Sequence, residues 1–362
     1  MSKKQTMYVQ YRGQIKALVG RGEYLYLVTT HEEEQDTALY RLNPSVPQLT
    51  AVKLHGGSGK ALSITDNELF IANVEDRLER FRFDTEKVEA FGSALGGPIV
   101  AMTSVAKNRL AVLAGSDLVV LSKETGEELQ RFDIGEECHS IAANPDGQWL
   151  AVGSNLGTVA IFESENKEEF VKGDSQKLHE GVVKALLFDR DELRLLSTGS
   201  DCKLKMTHVR GRLDPEDRGG KSNHEQPAVK LLDGPVEGPE GVFYSGGTDK
   251  TFKVWPSGLN KKRPFTMRDG VGVVVDMAIV QHKKQTHLVV AANDSTLRFW
   301  ELDETGRPKE QVLICRGAMA RAKHELKQKE TERREAILDL LAKYNDTQSI
   351  NLLTEQALND AD

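Results

Sequence analysis

The stretches Ser245-Gly-Gly-Thr-Asp249-Lys-Thr-Phe-Lys-Val-Trp255 and Ala291-Ala-Asn-Asp294-Ser-Thr-Leu-Arg-Phe-Trp300 follow one plan. An apolar strand runs into a tight turn, an aspartate stands six residues before a tryptophan, and a second strand closes on that aromatic. Counting back through the chain, the tryptophan position passes to Thr207, Phe162, Leu121, Phe81 and Tyr40. From Tyr40 to Trp300 the intervals are 41, 40, 41, 45, 48 and 45 residues. A matching apolar run precedes each: Tyr24 to Val28, Leu69 to Ala72, Leu110 to Leu113, Trp149 to Val152, Leu193 to Leu196, Val242 to Tyr244 and His287 to Val290. Self-similarity at a fixed period marks repeat architecture, and units of about 40 to 45 residues with several short strands mark the blades of a β-propeller.

Seven copies fit a closed ring, which leaves only short sheet edges exposed. The expected architecture is all-β: a seven-bladed propeller over residues 1–315, with an α-helical extension over residues 316–362. Residues near Thr6 to Tyr11 are expected to pair as an outer strand of the last blade and lock the ring, with Gln311 to Ile314 as the competitor for that edge.

These residues resemble the WD-repeat propeller family over roughly Thr6 to Leu313. Asp201, Asp249 and Asp294 stand where that family places its turn aspartate, Trp255 and Trp300 at its signature tryptophan, and His179 at its blade-opening histidine. Only the fifth blade shows that histidine in sequence, and only the sixth and seventh show the tryptophan. The resemblance therefore implies an Asp, His and Trp hydrogen-bond network that is incomplete in every blade. Ser122-Lys-Glu-Thr-Gly126-Glu-Glu-Leu-Gln-Arg-Phe is as similar to quinoprotein-type propeller repeats.

Composition narrows the function classes. A chain of 362 residues can bury a sizeable core, and a net charge of -7 argues mildly against general nucleic-acid binding. The start, Met1-Ser-Lys-Lys-Gln-Thr-Met-Tyr-Val, shows no apolar core of a secretory signal, and no run reaches the ~18 apolar residues of a membrane span. Cys138, Cys202 and Cys315 lie far apart without metal-ligand spacing, which suits reduced thiols in the cytoplasm. No membrane association is expected.

Two segments depart from the repeat. The stretch from His208 to Glu225 is polar and rich in Gly and charge, and is expected to be a mobile loop that replaces or displaces an outer strand. From about Gly317 the apolar period becomes helical: Met319, Ala322 and Leu326, then Ile337, Leu340, Leu341 and Tyr344. Glu335 to Tyr344 and Ser349 to Leu358 resemble the first helical pair of a HEAT-type repeat. Such a unit cannot bury its apolar face alone. Either further helical repeats follow in a longer chain, or the pair docks on the propeller or on a second copy.

Chemistry has little visible apparatus. His55-Gly-Gly-Ser-Gly59-Lys60 lacks the first glycine and the closing Ser or Thr of a phosphate-binding loop, so no nucleotide cofactor is expected. His282 and His287, and His31 beside Glu32, lack the three or four convergent ligands of a metal site and are expected to be solvated turn residues. No Gly-x-Ser-x-Gly elbow appears, and no catalytic residue is assigned.

Charge clusters remain as candidate partner-binding loops. Lys261, Lys262 and Arg263 follow the sixth repeat's tryptophan, and Lys283 with Lys284 sits in the first hairpin of the seventh. In the WD-repeat architecture both loop classes open on one face, which implies a basic patch beside Arg268. Glu32, Glu33 and Glu34 belong to a loop class that opens on the opposite face. The resulting expectation is a protein-interaction scaffold rather than an enzyme. The alternatives are a quinoprotein- or lyase-type propeller enzyme, which would gather ligands at the central channel, and nucleic-acid binding through a basic rim.

Overall fold

The computed structural model describes residues 5–317 apart from 10, 12, 32–35, 45–47, 54–60, 74, 107, 165–168, 190–193, 216–223, 236–240, 257–263 and 269–270. The described residues form 29 strands in seven sheets arranged as blades, with no helix among them. β1 (Gln5–Tyr8) stands apart from blade one, which is β2 (Gln14–Arg21), β3 (Tyr24–His31), β4 (Asp36–Asn43) and β5 (Gln48–Lys53). Blade two is β6 (Ala61–Ile64), β7 (Glu68–Ala72), β8 (Leu78–Arg82) and β9 (Lys87–Phe91). Blade three is β10 (Ile99–Val105), β11 (Arg109–Ala114), β12 (Asp117–Ser122) and β13 (Glu128–Asp133). Blade four is β14 (Cys138–Ala143), β15 (Trp149–Ser154), β16 (Thr158–Glu163) and β17 (Val171–Lys177). Blade five is β18 (Val183–Phe188), β19 (Arg194–Gly199), β20 (Leu204–Val209) and β21 (Leu213–Pro215). Blade six is β22 (Ala228–Asp233), β23 (Val242–Gly247), β24 (Phe252–Pro256) and β25 (Phe265–Met267). Blade seven is β26 (Val274–His282), β27 (Gln285–Ala292), β28 (Thr296–Leu302) and β29 (Pro308–Arg316).

Every repeat position read from the sequence falls on the third strand of its blade, from Tyr40 on β4 to Trp300 on β28. The second strands explain why the apolar runs are continuous rather than alternating. β11, β15 and β23 are buried at every position because neighbouring blades cover both of their faces. Outer strands such as β13 and β17 face solvent and read as mixed sequence.

Ring closure combines the expected N-terminal outer strand with its competitor. β29 fills the fourth place of the last blade through an antiparallel pairing with β28, a local hairpin partner. β1 is added outside it as a fifth strand, parallel to β29, with Gln5 opposite Leu313 and Tyr8 opposite Arg316. The N-terminal segment then crosses to blade one. The buried Tyr11 hydroxyl donates to the Ser295 carbonyl, and Ser295 Oγ donates to the Gly13 carbonyl at 3.2 Å. Blades seven and one approach so closely that a Cβ on Gly20 would lie 1.9 Å from the Ile279 carbonyl oxygen. There the Gln281 amide donates to Gly22 O at 2.7 Å.

The segment expected to be a loop after blade five is partly structured. Leu213–Pro215 is that blade's outer strand, and His224 is buried at the entry to blade six. The tail expected to be helical lies outside the described residues beyond 317, as do the Gly-rich stretch up to Lys60 and Glu32, Glu33, Glu34, Lys261, Lys262 and Arg263.

Antiparallel alternation gives the disc two unlike faces. The turns between second and third strands and the blade-to-blade connections share one, the turn face. The hairpins between first and second strands open on the other, the hairpin face.

Candidate functional site

Blade six carries a complete hydrogen-bonded tetrad on the turn face. Trp255 Nε1 can only donate, and it does so to Ser245 Oγ at 2.8 Å. The Ser245 hydroxyl then donates to His224 Nε2 at 2.8 Å, and His224 Nδ1 donates to Asp249 Oδ2 at 3.0 Å. Asp249 also accepts the amides of Glu225 at 2.9 Å and Thr251 at 3.1 Å, and the Thr251 hydroxyl at 2.7 Å. This order of donors requires a neutral histidine. Burial agrees with it, lowering the proton affinity of His224 against the partial opposition of Asp249. Burial alone would raise the Asp249 carboxyl, yet the bonds from Thr251 and His224 hold it below its ordinary value.

The expectation that no blade has a complete network is therefore corrected. The histidine sits 25 residues before Asp249, whereas His179 sits 22 before Asp201, because the step from Asp233 to Val242 between β22 and β23 is longer than that from Phe188 to Arg194 between β18 and β19. One signal in the sequence marks it: His179-Glu180 and His224-Glu225 are the same dipeptide, and both glutamate amides bond their turn aspartate.

Blade five is the tetrad without its tryptophan. His179 bonds Asp201 Oδ1 at 2.9 Å and Ser197 Oγ at 2.8 Å, while Thr207 occupies the tryptophan position with its buried Oγ1 unbonded. The turn of blade four supports this histidine, since a Cβ on Gly157, at φ 96°, would lie 1.9 Å from the His179 carbonyl oxygen. In blade seven an arginine replaces the histidine. Arg298 Nη2 pairs with Asp294 Oδ2 at 2.7 Å, and the Thr296 amide and hydroxyl bond Asp294 Oδ1. Trp300 is buried against Phe252, with ring centroids 5.0 Å apart.

The turn aspartates, His179, His224 and Trp255 bond within their blades, which is a structural role. Among the described residues no group of three or more His, Cys, Asp or Glu converges as a metal site would require.

His282 and His287 are not solvated, contrary to the expectation. They are 5 % and 2 % exposed, and their rings meet edge to face at 5.3 Å. The His282 ring also packs against Phe299, with centroids 6.5 Å apart. Burial, then His287 and Lys283, lowers His282 to about 4. Burial also lowers His179, His224 and His287 below the ordinary histidine value. The unfolded chain takes up these protons near pH ~6.5 and the fold resists them. The stability from this source is thus complete above pH ~6.5 and is lost as pH falls toward about 4. A urea midpoint that declines steadily from pH 7.5 to 4.5, and declines less in His282→Gln, is the expected result on the order of these histidine pKa values. A midpoint constant over that window would contradict it.

Of the charge clusters, Lys283 and Lys284 form the exposed two-residue tip of the β26–β27 hairpin. Their φ values are 51° and 63°, the only consecutive pair of non-glycine residues at positive φ among the described residues. Arg268 does not join them. It follows β25 on the turn face and pairs with Glu225 at 3.1 Å, on the opposite side of the disc from the lysine tip.

The central channel holds a further group that the sequence reading passed over. A cavity of about 280 Å³ is lined by the inner strands, with Lys16, His139, Lys184, Lys230 and Asp276 as its charged or titratable residues. Six inner strands break register once near their first residues: between Ile15 and Ala17, Ile99 and Ala101, Cys138 and Ser140, Val183 and Ala185, Ala228 and Lys230, and Val274 and Asp276. Each bulge inserts one residue and re-aims its side chain. Lys16, His139 and Lys184 are three of the inserted residues.

A family model for the WD domain, G-beta repeat, matches residues 128–163. Those bounds are the first residue of β13 and the last of β16, so the matched unit joins the outer strand of blade three to the first three strands of blade four. The match falls in a blade whose signature tryptophan position holds Phe162. There Ser154 Oγ accepts the amides of Leu156 and Thr158, doing for that turn what Asp249 does for its own. No curated protein matches the chain. The chain thus carries a WD-type repeat within a seven-bladed β-propeller.

Proposed function

We propose that the protein is an interaction scaffold whose partners are other proteins, and that the Lys283-Lys284 tip is one of its contact points. A propeller with a WD-type repeat is a fold generally used for protein interaction. The observation that carries the contact point is conformational. Two-residue hairpins of this kind favour Asn-Gly because both central residues have positive φ. Here two lysines hold those positions at the exposed tip, and strain retained at a surface points to use of the side chains. Lys261, Lys262 and Arg263 would extend the same surface, and Glu32, Glu33 and Glu34 would mark the opposite face as acidic.

The helical pattern beyond residue 317 would enlarge the display surface, with further helical repeats in a longer chain as its natural continuation. The proposed setting is the cytoplasm, where Cys138, Cys202 and Cys315 remain thiols. Burial pushes Cys138 and Cys315 up to about 12, so neither ionises readily.

The double variant Lys283→Asn with Lys284→Gly separates the two roles of the tip. Relief of the backbone strain should raise the unfolding free energy by about 1 kcal/mol. Partner capture by the full chain, quantified against the unmodified protein, should fall at the same time. Capture that is unchanged in the stabilised variant would remove this tip from the binding surface.

A further inference from the structure

The channel mouth on the turn face is electrostatically one-sided. Asp276 is the one carboxylate among its described lining residues, and it is already engaged: Lys230 Nζ lies 2.8 Å from Oδ1, and the Leu18 amide donates to Oδ2 at 2.8 Å. The Met277 amide donates to Oδ1 at 2.8 Å. Lys16 reaches only the neutral Gln14 Oε1, at 3.3 Å, and no ion pair involves Lys184 among the described residues. His139 stands in the strand next to Lys184, with its proton affinity lowered by partial burial and by that lysine. Two lysines without a carboxylate thus face a narrow channel in a chain whose net charge is -7.

Low-dielectric walls focus the field of like charges lining a cleft and raise the local concentration of counter-ions. The inner wall already shows that it can stabilise an oxyanion, since the Asp276 carboxylate is held there by one ammonium and two amides. The free space is about 280 Å³, bounded by seven inner strands, which suits a compact molecule and not a folded element.

We propose that this mouth of the central channel binds a compact polyanion, a small molecule carrying two or more carboxylate or phosphate groups, with Lys16 and Lys184 as its principal contacts. Its recognition is charge-assisted hydrogen bonding by ammonium donors on different blades, so the ligand bridges blade one to blade five. The site is independent of the lysine tip on the hairpin face.

The test uses the full chain and titrates inorganic triphosphate and citrate by calorimetry at low ionic strength. Saturable binding of either probe is expected, weakened at least about threefold when salt rises from roughly 50 to 200 mM. Lys16→Gln with Lys184→Gln should weaken it about tenfold or more. Lys283→Gln with Lys284→Gln should leave it unchanged, and melting temperatures without ligand should match in all three proteins. Triphosphate bound in preference to citrate assigns phosphate groups, and the reverse assigns carboxylates. Equal binding by the channel variant, or no binding of either probe, overturns the proposal. Binding of an acidic decapeptide without binding of the compact probes also overturns it, in favour of a partner segment. None of these outcomes depends on whether the lysine tip captures a partner.

Discussion

Replacing Asp249 by alanine should lower the unfolding free energy by about 3 kcal/mol, because it orphans several buried donors at once and each costs roughly 1 to 3 kcal/mol when left unsatisfied. The carboxylate is 4 % exposed and accepts from His224 Nδ1, the Glu225 and Thr251 amides and the Thr251 hydroxyl. Its loss is not confined to one turn. Without the acceptor, His224 has no reason to keep its Nδ1 proton, and the donor order through Ser245 to Trp255 is no longer fixed. The comparison with Asp201→Ala makes the argument specific. Asp201 accepts the amides of Lys203 and Glu180 and bonds His179, but it has no threonine hydroxyl two residues on and no tryptophan at the end of its chain. Asp249→Ala should therefore be the more damaging of the two, measured as the change in urea midpoint at pH 7.5. Equal losses would show that the tryptophan end of the tetrad contributes nothing, and a loss in Asp249→Ala well under about 1 kcal/mol would show that water replaces the carboxylate.

The difference between these two blades also marks how far the sequence could be read. Strand spacing was legible because the pleat forces it. Trp255 and Trp300 lie on third strands with their turn aspartates six residues earlier, and the same count finds Thr207, Phe162, Leu121, Phe81 and Tyr40 although their side chains differ. His224 was hidden by an insertion, since the connection that precedes it is long and polar and masks the His-Glu pair that repeats the one in blade five. The closure was half legible. Both Gln311 to Ile314 and the N-terminal residues are strands of the last blade, but whether a terminal strand joins inside or outside depends on which hairpin forms locally, and β28 takes its sequence neighbour β29.

The channel residues were the least visible. An inner strand read with strict alternation has one face toward each neighbour, and a single inserted residue breaks that count. Lys16, His139 and Lys184 read as ordinary polar positions until the bulges at Ile15/Ala17, Cys138/Ser140 and Val183/Ala185 are known. His282 and His287 were misplaced for a related reason. The hairpin that carries them packs against its surroundings: the His282 ring meets those of His287 and Phe299, and the adjoining Gln281 amide bonds Gly22 of blade one.

Asp276 is where one substitution should weaken the whole ring. Six of the seven blade junctions are spanned directly by the chain, whereas blades seven and one are adjacent in space but belong to opposite ends of the described chain. Across that seam Asp276 Oδ2 accepts the amide of Leu18, a residue 1 % exposed, while Oδ1 pairs with Lys230 of blade six. Asp276→Ala removes the acceptor from a buried amide and leaves the lysine unpaired, and should cost about 3 kcal/mol, the range for a lost charge-assisted bond with its donor left dry. Lys230 is 32 % exposed and can rehydrate, so the larger share falls on the Leu18 amide. Asp276→Asn tests that division. It keeps an oxygen for Leu18 and gives up the charge facing Lys230, and should cost about 1 kcal/mol, the size of one partly solvated ion pair. Hydrogen exchange locates the effect: in Asp276→Ala the amides of Leu18 and Gln281 should lose protection first, while those of blades three and four stay slow. Equal losses in the alanine and asparagine variants would shift the role of Asp276 to its ion pair. Uniform loss of protection in every blade would mean that the seam is no weaker than the other six junctions.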